Sequence, residues 1–469
     1  MFILMPLVFF IGILAIALED KIKVNKAAIA LLMAVSLWMI MILDAYDIFI
    51  EHSSTLYQSF LAENPDIAKL PLKEQFVNFI SNRSIVYHLG NVSETLFFVM
   101  CSMLIVDIVD KHGGFKSATQ SIQTANKRKL LWSICFSTFI FSAFLDNLAA
   151  AIVLIAVLRK LVPDRSDRLK YACMVIISAN AGGAWSPIGD VTTILLWVGG
   201  NITALHQIGD IFIPALVNMM VPLTIAHFWL FKKDARLKVK PLPEVEEGVP
   251  NITMQSRRMI LVIGILSLAL VPVFQSLTGL PPFMGVLLGL VILWIYTDVM
   301  YSRTTRVEES DKLRISSLLS NIDLSTIFFF LGILMSVGAL ETAGQLGLLS
   351  TYLDKTVHDP YLIGFVIGVM SSCVDNVALV AATMGMYPVA QATAELSPYA
   401  MSFVQDGGFW TFLAYCAVTG GSILIIGSAT GVTVMGLEKI DFMYYFKRFS
   451  VLALLGYLAG AGVYLLLFT

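Results

Sequence analysis

Twelve runs of roughly 20 mainly apolar residues succeed one another along the chain, free of lysine and arginine except at their ends. Twenty residues is about the length an α-helix needs to cross ~30 Å of hydrocarbon. The runs lie near 2–18, 27–44, 92–110, 131–158, 170–200, 208–232, 257–278, 281–301, 322–342, 361–386, 409–436 and 449–469. Composition fits: 57% of the 469 residues are hydrophobic and only 14% charged, against about 25% charged in a soluble domain. A water-soluble globule, a disordered chain and a secreted disulfide scaffold are thereby excluded. A net charge of −2 leaves no electrostatic case for binding nucleic acid. Cys101, Cys135, Cys173, Cys373 and Cys416 all fall in apolar runs without a CxxC pair and are expected to be small buried hydrophobes. The first run lacks a basic leader and reads as a retained helix rather than a signal peptide.

The placement of positive charge then orients the chain. Of 31 Lys and Arg, 27 fall in the connections 19–26, 111–130, 159–170, 232–258, 302–321 and 437–448. Positive residues collect on the cytoplasmic side, so these connections belong there. Lys127-Arg128-Lys129 and Arg159-Lys160 flank one run, 131–158, and a segment with both ends on one side does not cross. Its 28 residues suit two arms of about 14 that reach the midplane and return. Run 361–386, bracketed by Pro360 and Pro388, behaves likewise from the other side. Both are expected to be re-entrant hairpins, leaving ten crossings with both termini outside.

The halves also repeat. Glu94-Thr95-Leu96-Phe97-Phe98 matches Ser325-Thr326-Ile327-Phe328-Phe329 at an offset of 231, and Leu145-Asp146-Asn147 matches Val374-Asp375-Asn376 at 229. Gly182-Gly183 and Gly189 match Gly420-Gly421 and Gly427 at 238. The expected fold is an all-α polytopic membrane protein of two inverted-topology repeats, each with five crossings, one re-entrant hairpin and a helix interrupted at the midplane. Repeat one spans 1–232, with hairpin 131–158 and broken helix 170–200. A cytoplasmic linker follows at 233–256, then repeat two at 257–469, with hairpin 361–386 and broken helix 409–436.

Four polar constellations fall where hydrocarbon is expected, and buried ionisable groups there usually mark a pathway. Asp146-Asn147 and Ser371 to Asp375-Asn376 sit at the hairpin centres. Capping of a returning half-helix accounts for one polar residue per turn, but not for a carboxylate twice. Ser178 to Thr193, with Asn180, Gly182, Gly183, Pro187, Gly189, Asp190 and Thr192, does not make a regular helix; nor does Gly420 to Thr433, with Ser422, Ser428 and Thr430. Close packing of small residues competes with a functional role at Ser422 and Thr433. Together the constellations offer hard oxygen donors suited to a small hard cation, with no Lys or Arg to receive an anion. A carboxylate at such depth holds either a proton or a cation, so one site serves two mutually exclusive occupants.

Glu94 is a possible pathway residue. Asp107, Asp110 and Glu341 are expected at solvated helix ends, and His88 at the outer surface. Stretch 45–90 reads as an external loop carrying a short amphipathic helix, and 115–130 as an interfacial basic helix.

At Leu145-Asp146-Asn147, Ser178 to Asp190, Ser371 to Asn376 and Gly427 to Gly431 the chain resembles the NhaD-type sodium/proton antiporters. These belong to an ion-transporter superfamily that also holds arsenite pumps and dicarboxylate and citrate carriers. The resemblance implies a homodimer with a scaffold and a moving transport part, and efflux of Na⁺ or Li⁺ driven by inward protons. It implies no cofactor beyond the transported ions, and a bacterial inner membrane with both termini periplasmic. The expected ion ligands are Asp146, Asn147, Asp375 and Asn376, aided by Asn180, Asp190, Thr192, Ser371, Ser428 and Thr430. A Na⁺-coupled carrier of a small carboxylate or oxyanion is the alternative, because the architecture is shared; the acids at both hairpin turns favour a cation. A channel suits paired hairpins less well. The absence of HExxH, GxSxG and nucleotide motifs speaks against an enzyme.

Overall fold

The computed structural model describes residues 3–51, 55–114, 124, 126–231, 252–303, 323–391 and 397–469. Within them the chain is helical apart from isolated bridges such as Ala390 with Val404. The main helices are α1 (Leu4–Ala17), α2 (Lys26–Leu43), α3 (Val86–Lys111), α4 (Lys127–Leu145), α5 (Asn147–Leu161), α6 (Arg165–Ala184), α7 (Val191–Val198), α8 (Ala204–Trp229) and α9 (Met254–Ala269). They continue with α10 (Val271–Thr278), α11 (Pro282–Arg303), α12 (Leu324–Thr342), α13 (Gln345–Thr356), α14 (Pro360–Met370), α15 (Asn376–Met386), α16 (Gly408–Gly420), α17 (Ala429–Glu438) and α18 (Ser450–Phe468).

Among the described residues seven helices are long and apolar enough to cross a membrane, or eight if the bent pair α9–α10 counts as one. The molecule is thus a polytopic membrane protein. One of the seven is α4, which at 19 residues is longer than the arm of about 14 expected for hairpin 131–158. Six of the ten expected crossings therefore pass, and the other four fall short for local causes. Helix α1 has only 14 residues. Runs 170–200 and 409–436 are each cut in two, and α6 opens with the charged residues Arg165, Asp167, Arg168 and Lys170. Pro272 lies at the start of α10, where its missing N–H and its ring break the helix, and the axis turns by 44°.

The stretch before α3 is more helical than a loop. A helix Thr55–Glu63 precedes a continuous helical segment Leu72–Lys111 that runs into α3 through a π-helical turn at Asn78–Ile85. Phe76, Phe79 and Ile80 recur at helical spacing, and Phe76 and Phe79 close on Tyr57 and Phe49. Four of the five cysteines are buried as expected, but Cys373 is exposed, because it sits in the turn between α14 and α15 rather than on a packed helix face. The expected helix at 115–130 and the link at 233–256 fall largely outside the described residues.

Ion pairs tie distant helix ends together. Lys127, at the start of α4, pairs with Asp167, as does Lys170 at 3.1 Å. The neighbouring Arg168 meets Glu438 at 2.8 Å, and Glu438 also holds Arg159, near the end of α5, at 2.6 Å. The beginning of α4 and the end of α5 therefore lie at one end of the molecule, so the chain turns back at Asp146. Outside the apolar run, burial works against the charge of Asp167, but the Lys127 and Lys170 hydrogen bonds outweigh it and hold this carboxyl below its usual range.

The same return occurs between α14 and α15, at the opposite end. Tyr387, just past α15, donates to Asp354 of α13 at 3.1 Å, while Gly408 at the start of α16 abuts Tyr361 near the start of α14. The end of α7 joins this region, where the Asp406 N–H donates to the Asn201 carbonyl at 2.9 Å. The chain thus passes from the basic end to the far end through α6–α7 and comes back through α16–α17. Helix packing is likewise twofold in pattern. Helix α2 packs on α12 and α11 on α3; α4 packs on α6 and α14 on α16; α5 packs on α17 and α15 on α7; α8 lies along α18.

Candidate functional site

Four interruptions meet at the centre. Asp146 separates α4 from α5, residues 371–375 separate α14 from α15, 185–190 separate α6 from α7, and 421–428 separate α16 from α17. Small residues let the backbones meet there. An added Cβ on Gly182 would collide with the Phe139 carbonyl, and one on Gly420 with the Gly368 carbonyl. Ser142 donates to the Ala179 carbonyl at 2.6 Å, and Ser371 donates to the Ala417 carbonyl at 2.7 Å. The two contacts keep the sequence offsets of 229 and 238. Ser371 is thus placed as a fastener of the hairpin rather than with a free hydroxyl.

Asp190 is the most heavily bonded carboxylate. It caps α7, accepting from the Thr192 N–H at 2.8 Å and from the Thr192 hydroxyl, within a capping box completed by Thr193. The Asn147 amide donates to its other oxygen, and the Asn376 amide approaches at 3.4 Å. Asn147 also donates to Asn180 at 3.1 Å, and Asn180 donates to Ser422 at 2.8 Å and to Ser428 at 3.1 Å. One buried network therefore joins both hairpin turns and both helix breaks. Ser422 belongs to it, which the sequence left open; Thr433 does not line the cavity described next.

Asp146 and Asp375 are placed differently. Each caps the helix that follows with one oxygen, Asp146 accepting from the Ala149 N–H at 2.8 Å and Asp375 from the Val377 N–H at 3.0 Å. Neither carboxylate accepts from a side-chain donor among the described residues. Thr430 is fully buried and its hydroxyl has no partner among the described residues, because Ser428 stands where Asp190 stands in the other break.

Asp146, Asn147, Asp190, Asp375, Asn376 and Ser428 line a cavity of about 70 Å³. That is room for a few waters and far below the ~300 Å³ at which organic-ligand pockets begin. It shares Met103, Asp146 and Leu148 with a wider cavity of about 220 Å³ bordered by Asp107, Asp110 and Asp323. On the other side Glu94, Glu341 and His88 line a cavity of about 520 Å³ that shares no lining residue with the small one. Asp107, Asp110 and Glu341 therefore border cavities rather than merely ending helices. His88 is half-buried, its Nε2 3.0 Å from the Thr342 hydroxyl, not on an open surface.

One residue departs from expectation. The small cavity was expected to contain no basic side chain, yet Lys26 lines it, with its ammonium 4.6 Å from the centroid of the Phe329 ring. In the sequence Lys26 counts only as one more loop charge before run 27–44; its signal was its position immediately before that run, where α2 begins. Among the described residues no cluster of His, Cys, Asp and Glu with metal-holding geometry occurs, so any cation here is held by carboxylate, amide, hydroxyl and carbonyl oxygens.

Residues 7–405 match the family described as citrate transporter. The chain is 42% identical to sodium/proton antiporter 1 of Arabidopsis thaliana, across 98% of the chain and 72% of that protein. It is 28% identical to the Na⁺/H⁺ antiporter NhaD of Vibrio cholerae, across 83% and 81%. To the protein of the same name from Alkalimonas amylolytica it is 25% identical, across 98% and 89%.

Proposed function

Because the chain belongs to the citrate-transporter family and, within it, to the NhaD-type sodium/proton antiporters, we propose that it exchanges cytoplasmic Na⁺ or Li⁺ for external H⁺ at the cavity between its helix breaks. The observation that carries the reading is the cavity's lining: Asp146 and Asp375, each held by backbone N–H groups alone and by no side-chain donor among the described residues, in a space too small for an organic ligand. Protons and cations compete for these carboxylates, and this competition couples their fluxes. Asp190, saturated by donors, is the frame on which both turns rest. Asn147, Asn180, Asn376, Ser428 and the unpartnered Thr430 supply neutral oxygens, with Thr192 and Ser371 fixing the backbone around them. A carboxylate or oxyanion carrier is disfavoured by the cavity's size and its acids.

The mirrored packing pairs and returning hairpins support two inverted repeats with re-entrant hairpins. The run of basic residues at the α4–α5 open end supports placing that end on the cytoplasmic face, both termini opposite, while a bacterial inner membrane rests on resemblance to the bacterial antiporters alone. The shared lining of the small and the Asp107–Asp323 cavities supports an inward-open state, in which Glu94 waits on the outer path. A homodimer and the absence of any cofactor rest on family resemblance.

In proteoliposomes with an imposed pH gradient, added Na⁺ or Li⁺ is expected to dissipate the gradient and choline is not. A gradient unmoved by Na⁺ and Li⁺, with Na⁺-dependent uptake of succinate or citrate, would overturn the reading.

A further inference from the structure

The geometry points to Lys26 as a tethered competitor of the transported cation: its ammonium stands beside the acidic cavity and contends with the cation for Asp375. The inference rests on the exchange reading above and goes beyond it by assigning a specificity-determining residue.

Lys26 is fixed at its root. It opens α2, whose cap is Asn25, and the Asn25 side chain accepts from the Ala27 N–H at 2.8 Å and from the Ser325 hydroxyl at 3.0 Å. The Lys26 N–H donates to Glu19 at 3.0 Å. Helix α2 packs along α12, which contributes Thr326, Phe329 and Phe330 to the cavity wall. The root is thus held, while the side chain keeps a flexible four-carbon reach.

Its head is not committed. Among the described residues it makes no ion pair, resting instead over Phe329, a contact of modest strength. Yet it borders the cavity that is lined by Asp146, Asp190 and Asp375. Leaving carboxylates unneutralised at such depth is costly. A nearby ammonium that swings toward Asp375 lowers that cost in the empty site, and an arriving Na⁺ must displace it. The repeat offers no second copy: the helix that answers α2, α11, opens with Pro282 and Phe283. The competition therefore falls on one hairpin, that of Asp375.

Losing the competitor strengthens apparent Na⁺ binding. The test is uptake of radiolabelled Na⁺ into proteoliposomes at one fixed pH, over a range of Na⁺ concentrations, for the wild type, K26Q and K26R. K26Q is expected to lower half-saturating Na⁺ by roughly three- to tenfold, the scale of one partly buried charge pair. K26R, which keeps the charge, is expected to stay near the wild-type value; a purely structural role would change the maximal rate and not this constant. Should K26Q fail to purify, K26M is read in the same way. An active wild type with K26Q unchanged within about twofold, or weakened, overturns the role of Lys26 and leaves the exchange reading standing. A wild type without Na⁺ exchange overturns both.

Discussion

The two hairpin turns carry the same Asp-Asn pair in unlike surroundings. At the first turn, Asp146 adopts a positive φ of 69°, which is unusual for a residue with a side chain. The following Asn147 is tied to Asn180 and Asp190, and its N–H donates to the Gly189 carbonyl at 3.0 Å. At the second turn Asp375 has an ordinary φ of −52° and Asn376 reaches Asp190 only at 3.4 Å. The helix breaks differ in the same sense: Asp190 and Thr192 satisfy each other, while Ser428 leaves Thr430 without a partner. The two turns share their backbone contacts and differ in their donors. The first turn and break are tightly bonded, whereas the unpartnered Thr430 follows the second break and Lys26 reaches the shared cavity from α2.

The strongest way to break this comparison is to neutralise its carboxylates one at a time. D146N and D375N are each expected to lower Na⁺/H⁺ exchange by about 100-fold or more while thermal stability in detergent stays near wild type, since Asn also caps. D190N should differ by lowering Tm, because its oxygens anchor both turns. Equal Tm losses in all three would erase the distinction between frame and exchange site.

The glycine contacts probe the shared scaffold. G182A and G420A each force a Cβ onto a carbonyl, at a cost of about 1–3 kcal/mol. Similar Tm losses for the two would sharpen the equivalence of the breaks, and a loss at only one would deny it.

The threonines separate the halves. T192V removes a hydrogen bond to a buried carboxylate and should cost about 1.5–3 kcal/mol. T430V removes an unpartnered hydroxyl, so stability should hold or rise while apparent Na⁺ affinity falls. Differential scanning fluorimetry with and without Na⁺ reads both.

The smallest effect lies at the basic end. Asp167 is held below its usual range by Lys127 and Lys170 despite burial. A depressed carboxyl contributes stability that is complete above the unfolded value near 4 and disappears as pH falls through the lower folded value. D167N should cost under about 1 kcal/mol at neutral pH and flatten the acid limb of a Tm-against-pH curve, which checks it.

Much of this was legible in the residues because the bilayer leaves few solutions. Basic clusters on both sides of 131–158 led to the expectation of a return, and the ion pairs through Asp167 and Glu438 lie at the start of α4 and the end of α5. Gly182 and Gly420, read as repeat mates, lie against equivalent carbonyls. What hydropathy did not contain is side-chain reach. Lys26 sits at a helix start, where a sequence cannot distinguish an ammonium facing solvent from one turned along the wall of a cavity. Glu341, Asp107 and Asp110 also lie at or near helix ends, and only tertiary packing makes those ends cavity walls. The division of labour between Asp190 and the two turn carboxylates depends on which donors reach which oxygen, and that is set by contacts across about 190 residues.

The central claim is that Na⁺ and H⁺ exclude each other at Asp146 and Asp375. Its most direct test adds Na⁺ to the purified, weakly buffered protein in detergent and counts the protons released with a pH electrode. The account predicts proton release from the wild type, none on adding choline, and a loss of release when D146N and D375N are combined. Sodium binding by the wild type without proton release, or unchanged release from the double variant, would contradict it.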